Sequence, residues 1–263
     1  MGHRAADELV FDEPCVLFAL PREARSFLHD FPPQQRVPDA PCWAQFCGPS
    51  WLSALVLTTG MGRASVERAL AWLEGPPQLG GVACAPKLLI SAGFAGALST
   101  ELKVGDLVVA SEICDEAGAI LPAPWPGELS GAWQPVPHRG RVLTLGSAVG
   151  EAKRKQDLAR QHSALAVDME SAVVARWCQR RQIPFGCVRV ISDDANTSFS
   201  ATLQDLLAAE SPAYLRLVWA GLRSPRLLLE MKRLARDTRL AARQLGMAIG
   251  ELLTLTLPFG ADL

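Results

Sequence analysis

The sequence predicts one α/β domain with a mostly parallel or mixed, twisted central sheet flanked by helices, followed by a C-terminal helical extension. Two observations predict this fold class. Short apolar runs alternate with segments of helical periodicity, and most of these runs are apolar throughout, as in strands buried on both faces of a sheet. A chain of 263 residues is long enough to bury a sizeable core within one domain.

The predicted strands and helices follow one another along the chain. Strands are expected at 15–20, 43–47, 52–60, 87–93, 104–113, 141–146, 164–169 and 185–192, and helices at 22–31, 62–74, 150–162 and 170–182. The small residues 93–98 are expected to form a turn. The Pro-rich segment 117–140 predicts a long irregular excursion. From about residue 201 the pattern is helical, with an interruption at Ser224-Pro225.

The chain divides into a loose leader over 1–14, a domain over 15–222 and the helical extension over 223–263, which is expected to pack on the domain. The leader lacks the apolar segment of a signal peptide, and no run of about 18 apolar residues predicts a membrane span. With 26 Lys and Arg against 27 Asp and Glu, the charge gives no sign of a nucleic-acid partner. Seven cysteines without CxxC spacing favour reduced, buried thiols in a cytoplasmic protein, and the four histidines lack metal-ligand spacing.

The residues that follow the strands are the candidates for chemistry, because ligands of such sheets bind beyond the carboxyl ends of the strands. Glu23 follows the first strand, although a carboxylate at a helix start is more often a partner of the helix dipole. Two glycine-containing segments, 60–62 and 93–96, follow later strands. Glycine either makes a tight turn or lets the backbone approach a ligand, and neither segment matches a known phosphate-binding or dinucleotide-binding pattern.

The stretch VDMESAVVARWCQRRQIPFGCVRVISDDAN, residues 167–196, is more informative because its polar residues combine. Glu170 begins a helix at a strand end, where a carboxylate is able to accept two hydrogen bonds from a vicinal diol. Arg189 lies in an apolar strand and requires an anionic partner, since a buried unpaired guanidinium is costly. Asp193 ends that strand. Asp168 is interpreted as a structural acid.

The sequence resembles the nucleoside phosphorylase superfamily, in the branch that contains the methylthioadenosine/S-adenosylhomocysteine nucleosidases. Three segments carry the resemblance in matching order and spacing: ALPREA, ISAGFAGALSTELKVGDLVVASEI, and the stretch quoted above. The similarity runs from about residue 15 to 220. It implies an enzyme that cleaves the N-glycosidic bond of a purine-type nucleoside, without a metal or organic cofactor. Because the family is commonly oligomeric, it also implies a homo-oligomer, expected here as a homodimer.

The resemblance implies roles for residues that would bind the sugar and the base. Met169 and Glu170 match the ribose-binding pair, whose carboxylate bonds the 2′- and 3′-hydroxyls. Asp193 matches the general acid at N7 of the base, and Ser192 would orient it. An acid in this role must carry a proton, which a nearby charge on Asp194 would favour. In the alternative interpretation, Asp194 is a helix N-cap or a solvated loop acid.

The resemblance also implies roles on the side of the nucleophile. Glu23 matches the nucleosidase residue that deprotonates the attacking water, and Arg189 matches the cation beside that water. Glycosidic cleavage passes through an oxocarbenium-like state, in which an acid assists the leaving group and a base readies water. The turns between strand and helix supply the remaining substrate-binding candidates, Gly62, Phe94, Ala95 and Gly96.

The resemblance leaves alternatives open. Glu23 would repel phosphate, and segment 90–92 has no arginine where phosphorylases often carry one, so water is favoured as the nucleophile. A phosphorylase with phosphate as co-substrate, including one that acts on adenosylhopane, is the first alternative. A catalytically weak nucleoside-binding protein is the second. Phe94 keeps it open, because nucleosidases usually have Ser or Thr there, and no aromatic residue aligns at 146–149 for the base.

The segment 222–243 predicts a basic amphipathic helix, with seven basic and two acidic residues. Such a helix either packs on the domain with a solvated basic face or makes peripheral contact with an anionic membrane surface.

Overall fold

Strands and helices alternate within the residues that the computed structural model describes, which are 10–11, 13–49, 52–74, 83–84, 86–125, 136–200 and 225–256. The strands are β1 (Val10–Phe11), β2 (Pro14–Phe18), β3 (Pro33–Arg36), β4 (Trp43–Cys47), β5 (Ala54–Thr58), β6 (Ala83–Cys84), β7 (Leu88–Ala97), β8 (Leu107–Asp115), β9 (Ile120–Pro122), β10 (His138–Thr144), β11 (Ala166–Asp168) and β12 (Phe185–Asp193). The helices are α1 (Pro21–Asp30), α2 (Arg63–Glu74), α3 (Ala152–His162), α4 (Ser171–Arg181) and α5 (Pro225–Thr256). The predicted α/β class is confirmed.

The prediction of a turn at 93–98 is wrong. β7 continues through this segment to Ala97, because β12 pairs with it in parallel: Arg189 lies opposite Gly93, and Asp193 lies opposite Gly96. Small residues suit both a turn and a strand that must pass close to polar side chains, and the sequence pattern alone does not separate the two.

Two other predictions fall partly outside the described residues. The excursion predicted at 117–140 contains the short strand β9, which pairs antiparallel with β8, and β10 begins at His138; residues 126–135 lie outside the described part. The helical segment predicted from 201 also lies outside it as far as residue 224. Within the predicted leader, β1 pairs in parallel with β6.

The main sheet is mixed and has the strand order β11-β10-β8-β12-β7-β2-β5-β4-β3, with β9 beside β8. β5, β2, β7 and β12 run parallel to one another, whereas β8 is antiparallel to β12 and β4 is antiparallel to β5. β11 also pairs antiparallel with β7. This pairing closes β11, β10, β8, β12 and β7 into a ring, so that the end of β11 lies beside the last residues of β7.

Helices cover both faces of the sheet. α1 and α5 bury Phe27, Leu245 and Ile249 against one face, and α2 and α4 bury Leu70 and Trp177 against the other. Apolar strands between two helical layers are the arrangement that the unbroken apolar runs predict.

α5 packs closely on α1 because two glycines lie at the contact. A Cβ atom on Gly246 would lie 2.6 Å from the backbone nitrogen of Phe27, and one on Gly250 would lie 3.0 Å from Cε2 of Phe31. Ile249 between them is fully buried. In the described ranges, no helix is both long and apolar enough to cross a bilayer.

Gly246→Ala is expected to lower the free energy of unfolding by about 1–3 kcal/mol, because the added methyl group meets backbone and must push the helices apart. The gain in helix propensity, about 1 kcal/mol at most, does not offset this. Chemical denaturation followed by circular dichroism measures the change. Arg243→Ala, at an exposed position of the same helix, is the control, with an expected change within about 0.5 kcal/mol. Equal stability of the two variants would contradict the close helix contact.

Candidate active site

A cavity opens where β2, β10, β11 and β12 end, and it leaves about 170 Å³ to the centres of water molecules. Most of the predicted site residues line it: Glu23, Phe94, Ala95, Gly96, Met169, Glu170, Ser192 and Asp193. Arg189 lines a smaller cavity beside it, and Gly62 contacts the site through its backbone. The structure therefore brings together residues that are up to 170 positions apart in the chain.

Glu23 is a buried carboxylate near the start of α1, held by two backbone N–H groups. Leu20 donates to its Oε2 at 2.7 Å, and Phe94 donates to its Oε1 at 2.9 Å. A Cβ atom on Gly93 would lie 3.1 Å from Oε1, so glycine gives the carboxylate room against β7. Burial raises the pKa of Glu23, although the two backbone hydrogen bonds and the charge of Arg189 oppose the rise.

Four of the five N–H groups of Arg189 donate to protein groups, and its anionic partner is Asp168. Its Nε donates to Asp168 at 2.7 Å, and one of its terminal nitrogens donates to the hydroxyls of Ser91 at 2.8 Å and Ser171 at 2.7 Å. Its other terminal nitrogen donates to the carbonyl of Val188 at 3.2 Å. The requirement for an anionic partner is thus met within the described chain by Asp168. That Asp168 is a structural acid stays a prediction.

Glu170 lies at the N-terminus of α4, and its carboxylate turns back towards the loop after β5. The backbone N–H of Gly62, where φ is +82°, donates to its Oε1 at 2.7 Å. Met169 donates its backbone N–H to Oε2 at 3.3 Å. Burial raises the pKa of Glu170 to about 7, with a further contribution from the charge of Asp168 and opposition from the Gly62 hydrogen bond.

A small cavity lies between Glu23, Glu170 and Arg189, with Ser91 and Phe94 among its other walls. It leaves about 20 Å³ to the centre of a water molecule, which is room for roughly one water. Polar groups on several sides are what a bound water requires, and two carboxylates among them are hydrogen-bond acceptors. The cavity is therefore suited to hold a single water beside the buried Glu23 carboxylate.

Asp193 ends β12 at the opposite side of the main cavity. Ser192 donates its hydroxyl to Oδ1 of Asp193 at 2.7 Å. Oδ2 forms an ion pair with Nζ of Lys155, a fully buried residue in the first turn of α3. A Cβ atom on Gly96 would lie 3.1 Å from Oδ2, so this glycine also gives a carboxylate its room.

Several residues at the site were not found by sequence analysis. Lys155 was missed because its helix is rich in exposed charge, and a lysine in such a pattern predicts a solvated side chain. Phe199 lines the cavity from the loop after β12, and Leu234 and Thr238 line it from α5. Phe199 thus places an aromatic residue at the cavity, although it lies far from 146–149 in the sequence. Ser147, Ala148 and Val149 of that segment also line the cavity.

Asp194 is a loop acid and does not cap a helix. Its Oδ1 accepts hydrogen bonds from the backbone of Asn196 at 3.0 Å and the hydroxyl of Thr197 at 2.9 Å, and its Oδ2 lies 3.5 Å from Arg233 of α5. The charge that contacts Asp193 is therefore the Lys155 ammonium rather than Asp194. Among the described residues, no group of three or more His, Cys, Asp and Glu side chains is placed to hold a metal ion.

The sequence is similar to those of known enzymes. The sequence pattern of the phosphorylase superfamily matches residues 50–220. A 5′-methylthioadenosine/S-adenosylhomocysteine nucleosidase of Staphylococcus haemolyticus is 27% identical over 46% of this chain, which spans only 63% of that relative. One from Hydrogenovibrio crunogenus is 25% identical over 68% of this chain and 80% of its own length.

Solved structures share the fold. The futalosine hydrolase of Helicobacter pylori superposes with a TM-score of 0.69 at 17% identity, covering 92% of this chain and 97% of that one. The 5′-methylthioadenosine/S-adenosylhomocysteine nucleosidase of the same organism, in complex with butyl-thio-DADMe-Immucillin-A, gives 0.64 at 17% identity, over 93% and 98%. These structural matches confirm the predicted fold, and the pattern match over residues 50–220 confirms the superfamily resemblance.

Glu170 is expected to make stability depend on pH. Folding raises its pKa from 4.5 to about 7, so its contribution to stability is fully present below about pH 4.5 and is lost as the pH rises to about 7. Glu170→Gln removes this titration. The stability of the variant relative to wild type should therefore rise by roughly 1–3 kcal/mol across that range. Urea unfolding of both proteins at several pH values measures this, and a difference that stays constant with pH would contradict the burial of an ionisable Glu170.

Proposed function

Because the chain belongs to the phosphorylase superfamily, we propose that it is an enzyme that hydrolyses the N-glycosidic bond of a purine-type nucleoside. One observation carries the proposal. Of the four carboxylates that line a single cavity, Asp168 is paired with Arg189, and the other three lie in three different environments: Glu23 after β2, Glu170 after β11 and Asp193 at the end of β12. The sequence relatives are named as nucleosidases, and the structural neighbours include a nucleosidase and a hydrolase of futalosine.

In this proposal the sugar binds at Met169 and Glu170. The Glu170 carboxylate is fixed by the Gly62 N–H on one oxygen, which leaves lone pairs on both oxygens for the hydroxyls of a ribose. Phe94, Ala95 and Gly96 form the neighbouring wall of the cavity. The base lies towards Asp193 and Ser192, where Phe199 and Val149 provide apolar surface for a flat ring.

The attacking water occupies the small cavity between Glu23, Glu170 and Arg189. Glu23 acts as the general base, and the rise of its pKa by burial makes the carboxylate a better proton acceptor. As the glycosidic bond breaks, positive charge develops on the sugar and electrons move to the base. Asp193 assists the base on the far side of the sugar, and Glu23 takes a proton from the water that attacks.

The contacts of Arg189 favour water over phosphate. A phosphate dianion needs several free cationic or N–H donors. Four of the five N–H groups of Arg189 already donate to protein acceptors. The Glu23 carboxylate beside it repels an anion. Hydrolysis is therefore favoured, and a phosphorylase that uses phosphate as co-substrate, including one for adenosylhopane, is the less favoured alternative.

The test is release of free base from a panel of purine nucleosides, with and without phosphate. The assays contain a chelator and no added cofactor, in line with the expectation that none is needed. We expect base to be released without phosphate. Asp193→Asn and Glu23→Gln are each expected to lower turnover by at least about 10²-fold, because each removes a proton-transfer group.

Three outcomes separate the candidates. Turnover that requires phosphate would favour the phosphorylase, and tight nucleoside binding without turnover would favour a catalytically weak nucleoside-binding protein. Near-normal turnover of Asp193→Asn would remove Asp193 from the acid role. Unfolding curves of both variants serve as controls, since a fold that survives substitution makes the loss of turnover specific to the chemistry.

We further propose that the exposed face of α5 makes peripheral contact with anionic membranes. This face combines the apolar side chains of Leu229 and Met247, which are 68% and 53% exposed, with five exposed cations. These cations are Lys232, Arg233, Arg236, Arg239 and Arg243. Each basic residue near an anionic bilayer contributes about 1 kcal/mol, and exposed apolar side chains add an insertion term.

Sedimentation with vesicles of phosphatidylserine or of phosphatidylcholine tests the membrane contact. Binding is expected only to the anionic vesicles and is expected to weaken with salt. Exchange of both Arg236 and Arg243 for Glu should weaken it at least about tenfold, whereas Arg63→Glu on α2 should not. No salt-sensitive binding, or equal effects of the two sets of substitutions, would contradict the contact.

A homodimer and a cytoplasmic location complete the proposal. The homodimer depends on the family resemblance, and a solution mass of 28.3 kDa would contradict it. The location is supported by six cysteines that are free thiols, five of them buried. Secretion of the chain from its host cell would contradict it.

A further inference from the structure

Lys155 is a fully buried lysine whose ammonium contacts the acid of the candidate site. Its Nζ donates to Oδ2 of Asp193, to the carbonyl of Asp194 at 2.8 Å and to the carbonyl of Thr197 at 3.5 Å. The Phe199 ring centroid lies 6.0 Å from Nζ. The three N–H donors of the ammonium thus face three acceptors at the end of β12 and in the loop that follows it. The roles proposed above for the site residues make no use of this cation.

A lysine without exposed surface is rare unless it is paired, because removing an ammonium from water is costly. Here the charge is balanced by Asp193, whose side chain is 13% exposed and lines the main cavity. Lys155 itself is not among the residues that line the cavity. It therefore acts on a ligand only through Asp193.

We propose that Lys155 is a positioning residue behind Asp193: it holds the Asp193 carboxylate in place and supplies, through Asp193, the proton that passes to the departing base. The inference rests on the proposed function. A cation in direct contact with a carboxylate favours the charged form. The remaining lone pairs of Asp193 then face the cavity as hydrogen-bond acceptors, so the base edge that binds there must offer an N–H donor.

The proton transfers balance. The C1′–N9 bond breaks with its electron pair going to the base, while Lys155 gives its proton to the Asp193 carboxylate and Asp193 passes a proton on to N7 of the base. A C1′–O bond forms to water, and the water proton goes to Glu23. Lys155 is left as a neutral amine, Asp193 as a carboxylate, and Glu23 as a neutral acid, so the total charge of the site is unchanged. Return of the Glu23 proton to Lys155 through solvent restores the resting state.

Bases methylated at N9, called adenine and hypoxanthine below, probe the Asp193 carboxylate without turnover, because the methyl group fixes N7 as an acceptor. Adenine presents N7 and an N–H donor on one edge, whereas hypoxanthine presents N7 and an oxygen acceptor, as guanine does. Wild-type protein is expected to bind adenine at least about tenfold more tightly than hypoxanthine, because a hydrogen bond to a charged acceptor is strong. Equal affinity, or tighter binding of hypoxanthine, would overturn the inference even if every variant failed to fold.

Two substitutions test separately the positive charge of Lys155 and its ability to give up a proton. Lys155→Gln removes the cation that contacts the Asp193 carboxylate, and the preference for adenine should fall about tenfold. Lys155→Arg keeps a cation that does not give up its proton. It should keep the preference for adenine yet lower kcat by about 10²-fold, with little change in KM.

Lys153→Gln is the matched control, because it makes the same chemical change at an exposed position of α3 and should alter neither quantity. An unchanged adenine preference in Lys155→Gln would overturn the charge role. Wild-type kcat in Lys155→Arg would overturn the proton role. Absence of nucleoside cleavage by wild type would instead contradict the proposed function, and the binding measurements would still report on Asp193.

Discussion

The ion pair between Asp168 and Arg189 is the interaction on which the candidate site depends. Asp168 ends β11 and accepts hydrogen bonds from Thr144 of β10, Ser171 of α4 and Arg189 of β12. Arg189 continues the network to Ser91 of β7. Four strands and the start of one helix are therefore held in register at one edge of the sheet. Loss of either charged partner would leave the other buried and unpaired, at a cost of about 3–5 kcal/mol.

Because Arg189 is paired with Asp168, the other three carboxylates of the cavity have different hydrogen-bond partners from one another. In the described residues, Glu23 accepts hydrogen bonds from two backbone N–H groups, those of Leu20 and Phe94. Glu170 accepts hydrogen bonds from the backbone N–H groups of Gly62 and Met169. Asp193 contacts the ammonium of Lys155 and accepts a hydrogen bond from the hydroxyl of Ser192. Groups of one chemical type acquire different proton affinities when their surroundings differ, and this is how one site combines a base with an acid. Gly93 and Gly96 give two of these carboxylates the space they need against β7.

Much of the fold and part of the site could be predicted from the sequence. Unbroken apolar runs fixed the strands, and the ends of those strands pointed to Glu23, Glu170 and Asp193, which do line one cavity. Lys155 could not be found in this way, because helical periodicity in a charged segment does not reveal which lysine is buried. Phe199 and the α5 residues also escaped prediction, since contacts between distant segments leave no local pattern.

In the proposed reaction, water and not phosphate attacks the sugar. This step is tested most directly by a single turnover of a cleaved nucleoside in ¹⁸O-labelled water with phosphate present, followed by mass spectrometry of the sugar product. Free sugar that carries one labelled oxygen at C1 is expected, because the small cavity beside Glu23 admits about one water and Arg189 keeps only one of its five N–H groups free of protein acceptors in the described residues. A sugar 1-phosphate without label would contradict it.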